Sequence, residues 1–273
     1  MHKEFSLKNK VVVITGAYGL IGKEVCDALA SYGAITILID ISPLKKLVSY
    51  SKKLIDKYKV KSAAYSLNIL SVDKINEAIK SIIKKFNKID VLINLAAIDA
   101  KFDNNIDKVP ISSFENFPLD VWKDSINTNI TGTFLITQAV IRTMLLRKSG
   151  NIINVASTYS LVAPNQDLYK DDEKVQKLFK PVDYVVSKSV IPNFTRYLAT
   201  FYGNKGIRAN TIVPHGVYNN HPEKFVNKFN RFSPLERMCD VDELRGPFIF
   251  LASDSSSYMT GSTLVVDGGW TAW

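Results

Sequence analysis

Val11-Val12-Val13-Ile14-Thr15-Gly16-Ala17-Tyr18-Gly19-Leu20-Ile21-Gly22 sets the frame for the rest of the chain. Four β-branched residues in a row, with no polar residue left for a solvent side, mark a strand buried on both faces. The glycines follow at once, and Val25, Leu29 and Ala30 then carry a helical spacing as far as Gly33. Ile35-Thr36-Ile37-Leu38-Ile39-Asp40 is a second buried strand with an acid at its end. Strand, glycine-rich turn, helix, strand and terminal Asp together form a dinucleotide-binding unit. Within it Gly16 takes the tight turn and Gly19 lets backbone approach a pyrophosphate. Gly22 lets the helix lie close on the strand, so that its N-terminus faces the phosphates. Asp40, 24 residues after Gly16, accepts from the adenosine ribose hydroxyls and repels a 2′-phosphate, which favours NAD over NADP. Tyr18, Leu20 and Ile21 in the turn and Ile41 beyond the acid complete the expected cofactor contacts on this side.

The alternation continues along the chain. A helix is expected over 43–58, a short strand over 62–67, a helix over 72–86, and a buried strand from Asp90 that ends in Asn94-Leu95-Ala96-Ala97. Strands alternating with helices of this length predict a Rossmann-type α/β fold. Its core is a doubly wound, seven-stranded parallel sheet with right-handed crossovers and helices on both faces. Residues at the carboxyl ends of the strands line the ligand crevice, so Asn68 and Ile69 are set against the adenine, and Asn94, Ala96 and Ala97 flank the cofactor. Val121 to Leu146 reads as one long apolar helix that contains Asn127, Asn129 and Gly132. These are poor helix formers. Either Asn129 sits on an exposed face, or the helix is distorted there around a water.

Asn151 to Ser157 is the next strand and delivers Ser157 to the same carboxyl edge. Tyr184 and Lys188 follow, four apart in a segment that runs apolar to Tyr202, and so on one helical face. A phenol titrates near ~10 in water, and a fixed ammonium one turn away favours its ionised form. A tyrosine tuned in this way passes a proton to or from an alcohol oxygen. The 26 residues between Ser157 and Tyr184 exceed an ordinary loop and are read as a substrate wall over 160–182, with one helical turn at 171–179. Pro192 removes the amide that would bond to the Lys188 carbonyl and predicts a kink. A sixth strand over 207–213 ends in Pro214-His215-Gly216. The segment after it, to 238, has no clean period and the mixed character of a lid. A helix over 242–252 and a strand over 261–266 close the pattern.

Length and composition agree with one domain over 1–273. The chain has 273 residues, 46% hydrophobic and 22% charged, which is ordinary for a globular protein. No apolar run approaches the ~20 residues of a membrane span. The opening Met1-His2-Lys3-Glu4-Phe5 runs quickly into a strand, so no signal peptide is expected. Cys26 and Cys239 lie far apart and are expected to be reduced thiols of a cytoplasmic protein. The net charge of +9 is spread over helix faces in place of a concentrated patch, so no nucleic-acid partner is expected. An anionic small substrate suits the excess positive charge, with Lys170, Lys180, Lys224, Arg231 and Arg237 as candidate contacts. No metal site is expected.

Thr15-Gly16 to Gly22, Asp40, Asn94-Leu95-Ala96-Ala97, Asn129, Ser157, Tyr184/Lys188, Pro214-x-Gly216 and Asp267-Gly268-Gly269 resemble the short-chain dehydrogenase/reductase family over essentially the whole chain. Residues 214–226 and 265–273 further resemble its flagellin modification protein A subgroup, associated with bacterial surface-sugar and nonulosonic acid pathways. The resemblance implies an NAD-dependent oxidoreductase acting on a sugar phosphate or nucleotide sugar. Tyr184 would be the general acid/base, and Lys188 would tune it and hold the nicotinamide ribose. Ser157 would bind the reacting oxygen, and Asn129 would hold a proton-relaying water. Pro214, Gly216 and Val217 would meet the nicotinamide side, and Ser157, Tyr159 and His215 the substrate. It also implies a homo-oligomer, a dimer or tetramer, with helices near 121–146 and 184–203 across a two-fold axis and Trp270 and Trp273 at an interface.

Four departures from the common pattern stand out. The glycine spacing is that of the family's sugar-nucleotide-modifying branch, which keeps open an epimerase or dehydratase with tightly held NAD. Leu95 and Ala97 replace Asn and Gly, Asn68 replaces Asp, and His215 stands where Gly is usual, either narrowing the pocket or facing solvent. A non-catalytic redox sensor or scaffold is the third reading, opposed by the intact Asn129, Ser157, Tyr184 and Lys188.

Overall fold

Strands β1 (Val11–Thr15), β2 (Ile35–Asp40), β3 (Ser62–Ser66), β4 (Val91–Asn94), β5 (Gly150–Val155), β6 (Ile207–Pro214) and β7 (Thr263–Val266) lie in one sheet. Their order is β3-β2-β1-β4-β5-β6-β7, and every neighbouring pair is parallel. The computed structural model describes residues 3–99, 113–170, 176 and 178–273. Val13 pairs with Ile37 on one side and Leu92 on the other. The winding therefore reverses at β1, and a crevice opens there at the carboxyl edge.

All five residues of β1 are buried, and they feed two cores in alternation. Val12 and Ile14 pack with Val25 and Leu29 of α1 (Leu20–Ser31), Leu54 of α2 (Leu44–Tyr58) and Phe248 of α9 (Arg245–Ala252). Val11 and Val13 pack with Ile79 and Ile82 of α3 (Val72–Phe86) and Val140 of α5 (Thr133–Arg147), in a core that also takes Leu198 of α7 (Ile191–Tyr202). A fully buried aliphatic side chain contributes about 1.5–3 kcal/mol, so burial on both faces is what holds β1 at the centre. This is the doubly wound Rossmann sheet that the alternation predicts.

The structure departs from the sequence pattern over 121–146 and 217–238 and at Trp270, and it breaks the Tyr184 segment where Pro192 predicts a kink. The long helix over 121–146 is three pieces: α4 (Leu119–Ile126), a π-helical turn over Asn127–Gly132, and α5. The wider turn rotates Asn129 inward, where it is 2% exposed, while a Cβ on Gly132 would sit 2.6 Å from Ile69 Cδ1. The segment carrying Tyr184 breaks at Val190 into α6 (Val182–Ser189) and α7, with Pro192 in the first turn of α7. The missing proline amide ends the first helix, and Phe194 N restarts the ladder on Val190 O at 2.9 Å.

Residues 217–238 contain a true helix, α8 (Glu223–Phe232). Its Phe229 is buried and Phe225 packs beside it, both against Leu168, Tyr169 and Trp270. Phe225, Val226 and Phe229 turn toward that cluster at a helical i, i+1, i+4 spacing, with polar residues on the other face. Trp270 is thus buried within its own chain at 9% exposure, and not at an interface; Trp273 is exposed. The helical turn expected over 171–179 falls largely outside the described residues, and Gln176 and 178–180 are not helical. Among the described residues no helix is long and apolar enough to cross a membrane.

Candidate active site

The carboxyl edge around the β1–β4 boundary has a cradle with an open wall. Gly16 takes φ +66°, and a Cβ there would lie 2.8 Å from Ala96 Cα. A Cβ on Gly22 would meet Gly16 O at 2.1 Å, so both glycines are required by packing alone. Gly19 is different: its added Cβ would touch only Gly16 O, at 3.4 Å. Among the described residues no other atom comes within 4 Å of that position, which leaves the Gly19 backbone bare toward the crevice. Asp40 is pinned by two amides, Tyr18 N to Oδ2 at 3.0 Å and Ser42 N to Oδ1 at 2.9 Å. Each carboxylate oxygen retains acceptor capacity for a further donor. Leu20 and Ile41 stand exposed on this rim, with Ile21 partly buried behind them. A bare glycine turn, a fixed carboxylate and apolar rim side chains fit a dinucleotide with free ribose hydroxyls.

Thr15, to which no site role was given above, ties the two central strands together. Its Oγ1 accepts from Leu95 N at 3.1 Å and Ala96 N at 3.2 Å. Asn94 is buried and donates to Thr137 Oγ1 and Asn154 Oδ1, both at 2.8 Å. Ala97 is exposed beyond it. Asn68 is exposed, and its Oδ1 accepts from Leu70 N at 2.9 Å in a local turn. Ile69 is buried. Pro214 ends β6, and Gly216 takes φ +56° with the Phe229 ring where a Cβ would lie. Val217 bridges to Cys239.

Ser157, 6% exposed, stands just beyond the end of β5, with its hydroxyl close enough to the Tyr184 phenol to draw its pKa down. Lys188, 5% exposed, donates from Nζ to Val155 O at 2.9 Å, with Nζ 5.7 Å from the Tyr184 ring centre. Burial pushes the Tyr184 phenol up, the Asp99 carboxylate adds to this, and the Ser157 hydrogen bond opposes it. Burial also drives Lys188 down to about 8. The lowering of the Tyr184 phenol expected from the Tyr184/Lys188 spacing is therefore reversed. The Lys188 ammonium is engaged by a carbonyl and not by the phenol oxygen, and desolvation of the phenolate outweighs it.

The Asn129 carboxamide is bonded at both its ends, with one Oδ1 lone pair left over. Its Oδ1 accepts from Ile98 N at 2.7 Å, and its Nδ2 donates to Ile98 O at 3.0 Å and Ser187 Oγ at 2.9 Å. It clamps the loop after β4 to the underside of α6, so of the two alternatives for Asn129 the distorted helix is the one present. His215 is buried rather than solvent-facing, at 8% exposure. Its Nδ1 bonds Thr158 Oγ1, its ring lies 4.4 Å from Trp270 and 5.7 Å from Tyr159, and burial holds it down to about 4, hence neutral. Tyr159, also buried, meets Tyr169 hydroxyl to hydroxyl at 3.1 Å.

Among the basic residues expected to meet an anionic group, Arg237 and Lys180 are engaged by carboxylates. Arg237 forks onto Glu243 at 2.6 and 2.7 Å. Lys180 binds both Asp99 oxygens, at 2.7 and 2.9 Å, and lies 4.2 Å above the Tyr184 ring. Asp99 was missed at the sequence level. The signal for it was its place five residues after Asn94, on the strand-end segment that lines the crevice.

A family model described as enoyl-(acyl carrier protein) reductase matches residues 16–271. Post-translational flagellin modification protein A of Campylobacter coli is 30% identical over 264 residues, covering 97% of this chain and 99% of that one. Among solved structures, a gluconate 5-dehydrogenase from Burkholderia cenocepacia in complex with NADP and tartrate superposes with a TM-score of 0.86 at 26% identity, over 99% of this chain and 98% of the other. An NAD+-bound xylitol dehydrogenase does so with a TM-score of 0.83 at 25% identity, over 96% and 99%.

Proposed function

The chain belongs to the short-chain dehydrogenase/reductase family, and from that premise we propose that it interconverts a secondary alcohol and a ketone on a small, sugar-type substrate with NAD(H). The observation that carries this reading is the meeting of the Ser157 and Tyr184 hydroxyls above buried Lys188, beside the glycine cradle. The fixed Asp40 carboxylate supports NAD over NADP, because a 2′-phosphate would meet it charge to charge. The glycine turn of 16–22 holds the pyrophosphate, and Pro214 to Val217 flank the nicotinamide. The bound nicotinamide supplies the two-electron exchange with the substrate carbon.

The chain's own residues do the proton chemistry. Ser157 donates to the reacting oxygen and orients it toward the phenol. Tyr184 gives its proton to that oxygen in reduction and takes it back in oxidation. Lys188 stabilises the phenolate left after donation and presents its ammonium to the nicotinamide ribose. Asn129 fixes the floor of the site through Ile98 and Ser187 and holds the relay water at the π-turn.

The likeness to a flagellin modification protein supports a product destined for surface-glycan assembly. Exposed Phe134, Tyr197 and Phe201 on α5 and α7 support a homo-oligomer across that face, and the free Cys26 and Cys239 thiols support a cytoplasmic setting. Replacing Tyr184 by Phe tests the reading: turnover of a ketose panel falls at least about 10²–10³-fold, while NADH affinity, read by fluorescence, stays within about threefold. Turnover that survives the substitution removes Tyr184 from the chemistry.

A further inference from the structure

We propose that Asp99 selects the substrate: its carboxylate, held in place by Lys180, receives a hydroxyl of a neutral polyol or hydroxyketone next to the carbon served by Ser157 and Tyr184. The proposal rests on the oxidoreductase reading of this site and adds the class of substrate. The pair is asymmetric. The Lys180 side chain is 5% exposed and that of Asp99 is 45% exposed, so what an incoming molecule meets is the carboxylate, with the ammonium walled in behind it. Lys180 donates to both Asp99 oxygens and so occupies one lone pair on each. The remaining lone pairs point away from the ammonium and accept from hydroxyl donors.

Both partners are fixed from several sides. The Lys180 ammonium lies 4.2 Å over the Tyr184 ring and 5.6 Å from that of Tyr159. Its backbone is pinned by Gln166, whose Oε1 accepts from Lys180 N at 2.8 Å. The residue before Asp99 is Ile98, gripped at both its N–H and its carbonyl by the Asn129 carboxamide. The carboxylate is near enough to the chemistry that its charge raises the Tyr184 and Tyr159 phenols and counteracts the lowering of Lys188.

The chemistry of this pair discriminates among substrates. A hydroxyl donating to a carboxylate makes a charge-assisted bond, about twice as strong as a neutral one. A carboxylate or phosphate on the substrate at this point would face Asp99 with like charge. An acyl chain would cover the carboxylate with methylenes and strip its water without replacing it. A site built to bond a hydroxyl rejects the analogue that lacks it far more strongly than an apolar pocket rejects a methylene.

Calorimetric titration of the NAD-saturated chain with xylitol and with 2-pentanol, which differ chiefly in hydroxyls, tests the proposal. Asp99→Asn should raise the xylitol dissociation constant tenfold or more and leave that of 2-pentanol within threefold. The double variant Asp99→Asn/Lys180→Met, which leaves no ammonium buried beside a neutral partner, should show the same selective loss. Circular dichroism and an unchanged NAD affinity verify the fold of both, and Asp99→Glu should restore part of the xylitol affinity. Xylitol affinity unchanged in both variants, or a wild-type chain that takes up no xylitol, overturns the proposal. Tyr184→Phe separates it from the reading it rests on. That variant must keep xylitol binding while losing turnover, so surviving turnover there strikes the Tyr184 assignment and leaves the Asp99 result standing.

Discussion

At neutral pH the Tyr184 phenol is un-ionised and the Lys188 ammonium is only partly secure, because the same burial acts on both. Desolvation disfavours whichever form is charged, so it raises the phenol and lowers the ammonium. Lys188, brought down to about 8, is protonated below that pH and neutral above it. Since its cation must offset the phenolate formed when Tyr184 gives up its proton, kcat/KM for ketone reduction should hold level from pH 6 to about 7.5 and decline above about 8. The Asp99 carboxylate partly counteracts the lowering of Lys188, so in Asp99→Asn the alkaline limb should move to lower pH. Initial rates between pH 6 and 10 measure both, and a profile level to pH 10 would exclude Lys188 as the titrating group. None of this was readable from the Tyr184/Lys188 spacing. Spacing sets which side chains share a helical face, whereas the pKa depends on how much water the rest of the fold leaves them.

At the scale of elements, the glycine turn separates packing from binding. Gly22→Ala drives a Cβ to 2.1 Å from Gly16 O, a backbone atom that cannot swing aside. The variant should lose about 1–3 kcal/mol of stability in urea unfolding, together with NADH binding. Gly19→Ala meets only one atom, at 3.4 Å, so its unfolding midpoint should be near the wild-type value while NADH affinity drops tenfold or more. Equal loss of stability in the two variants would refute the distinction. The strands and α1–α3 were legible because each carries a period that packing then uses: unbroken apolar runs for strands buried on both faces, three-to-four spacing for the helices. Pro192 marked the break at Val190, whereas the π-turn and α8 were less legible. Each depends on a contact with a distant segment: Asn129 on Ile98, Gly132 on Ile69, Phe229 on Gly216 and Trp270.

At the scale of the whole molecule, α5 and α7 carry exposed aromatic side chains. Phe134 on α5 and Tyr197 and Phe201 on α7 are 46%, 58% and 49% exposed. Beside them a groove of about 540 Å³ runs between Ile130, Phe134, Val190 and Phe194. Light scattering should return a multiple of the chain mass, and Phe134→Glu with Tyr197→Glu should reduce it to that of the next smaller species. A wild-type mass equal to that of one chain would end the proposal of a homo-oligomer.

The order of strands and helices, the glycine turn ending at Gly22, the acid at 40 and the set Ser157, Tyr184 and Lys188 were all settled by local pattern, because period and spacing are properties of neighbouring residues. The tertiary structure alone decided the environment of those groups. It half-buried Tyr184 and buried Lys188, so that desolvation raises the phenol where spacing alone pointed to a lowering, turned His215 and Trp270 inward, and carried Asp99 from beyond β4 onto Lys180, 81 residues away in the chain. Desolvation and long-range contact are sums over the whole fold, and no window of sequence contains them.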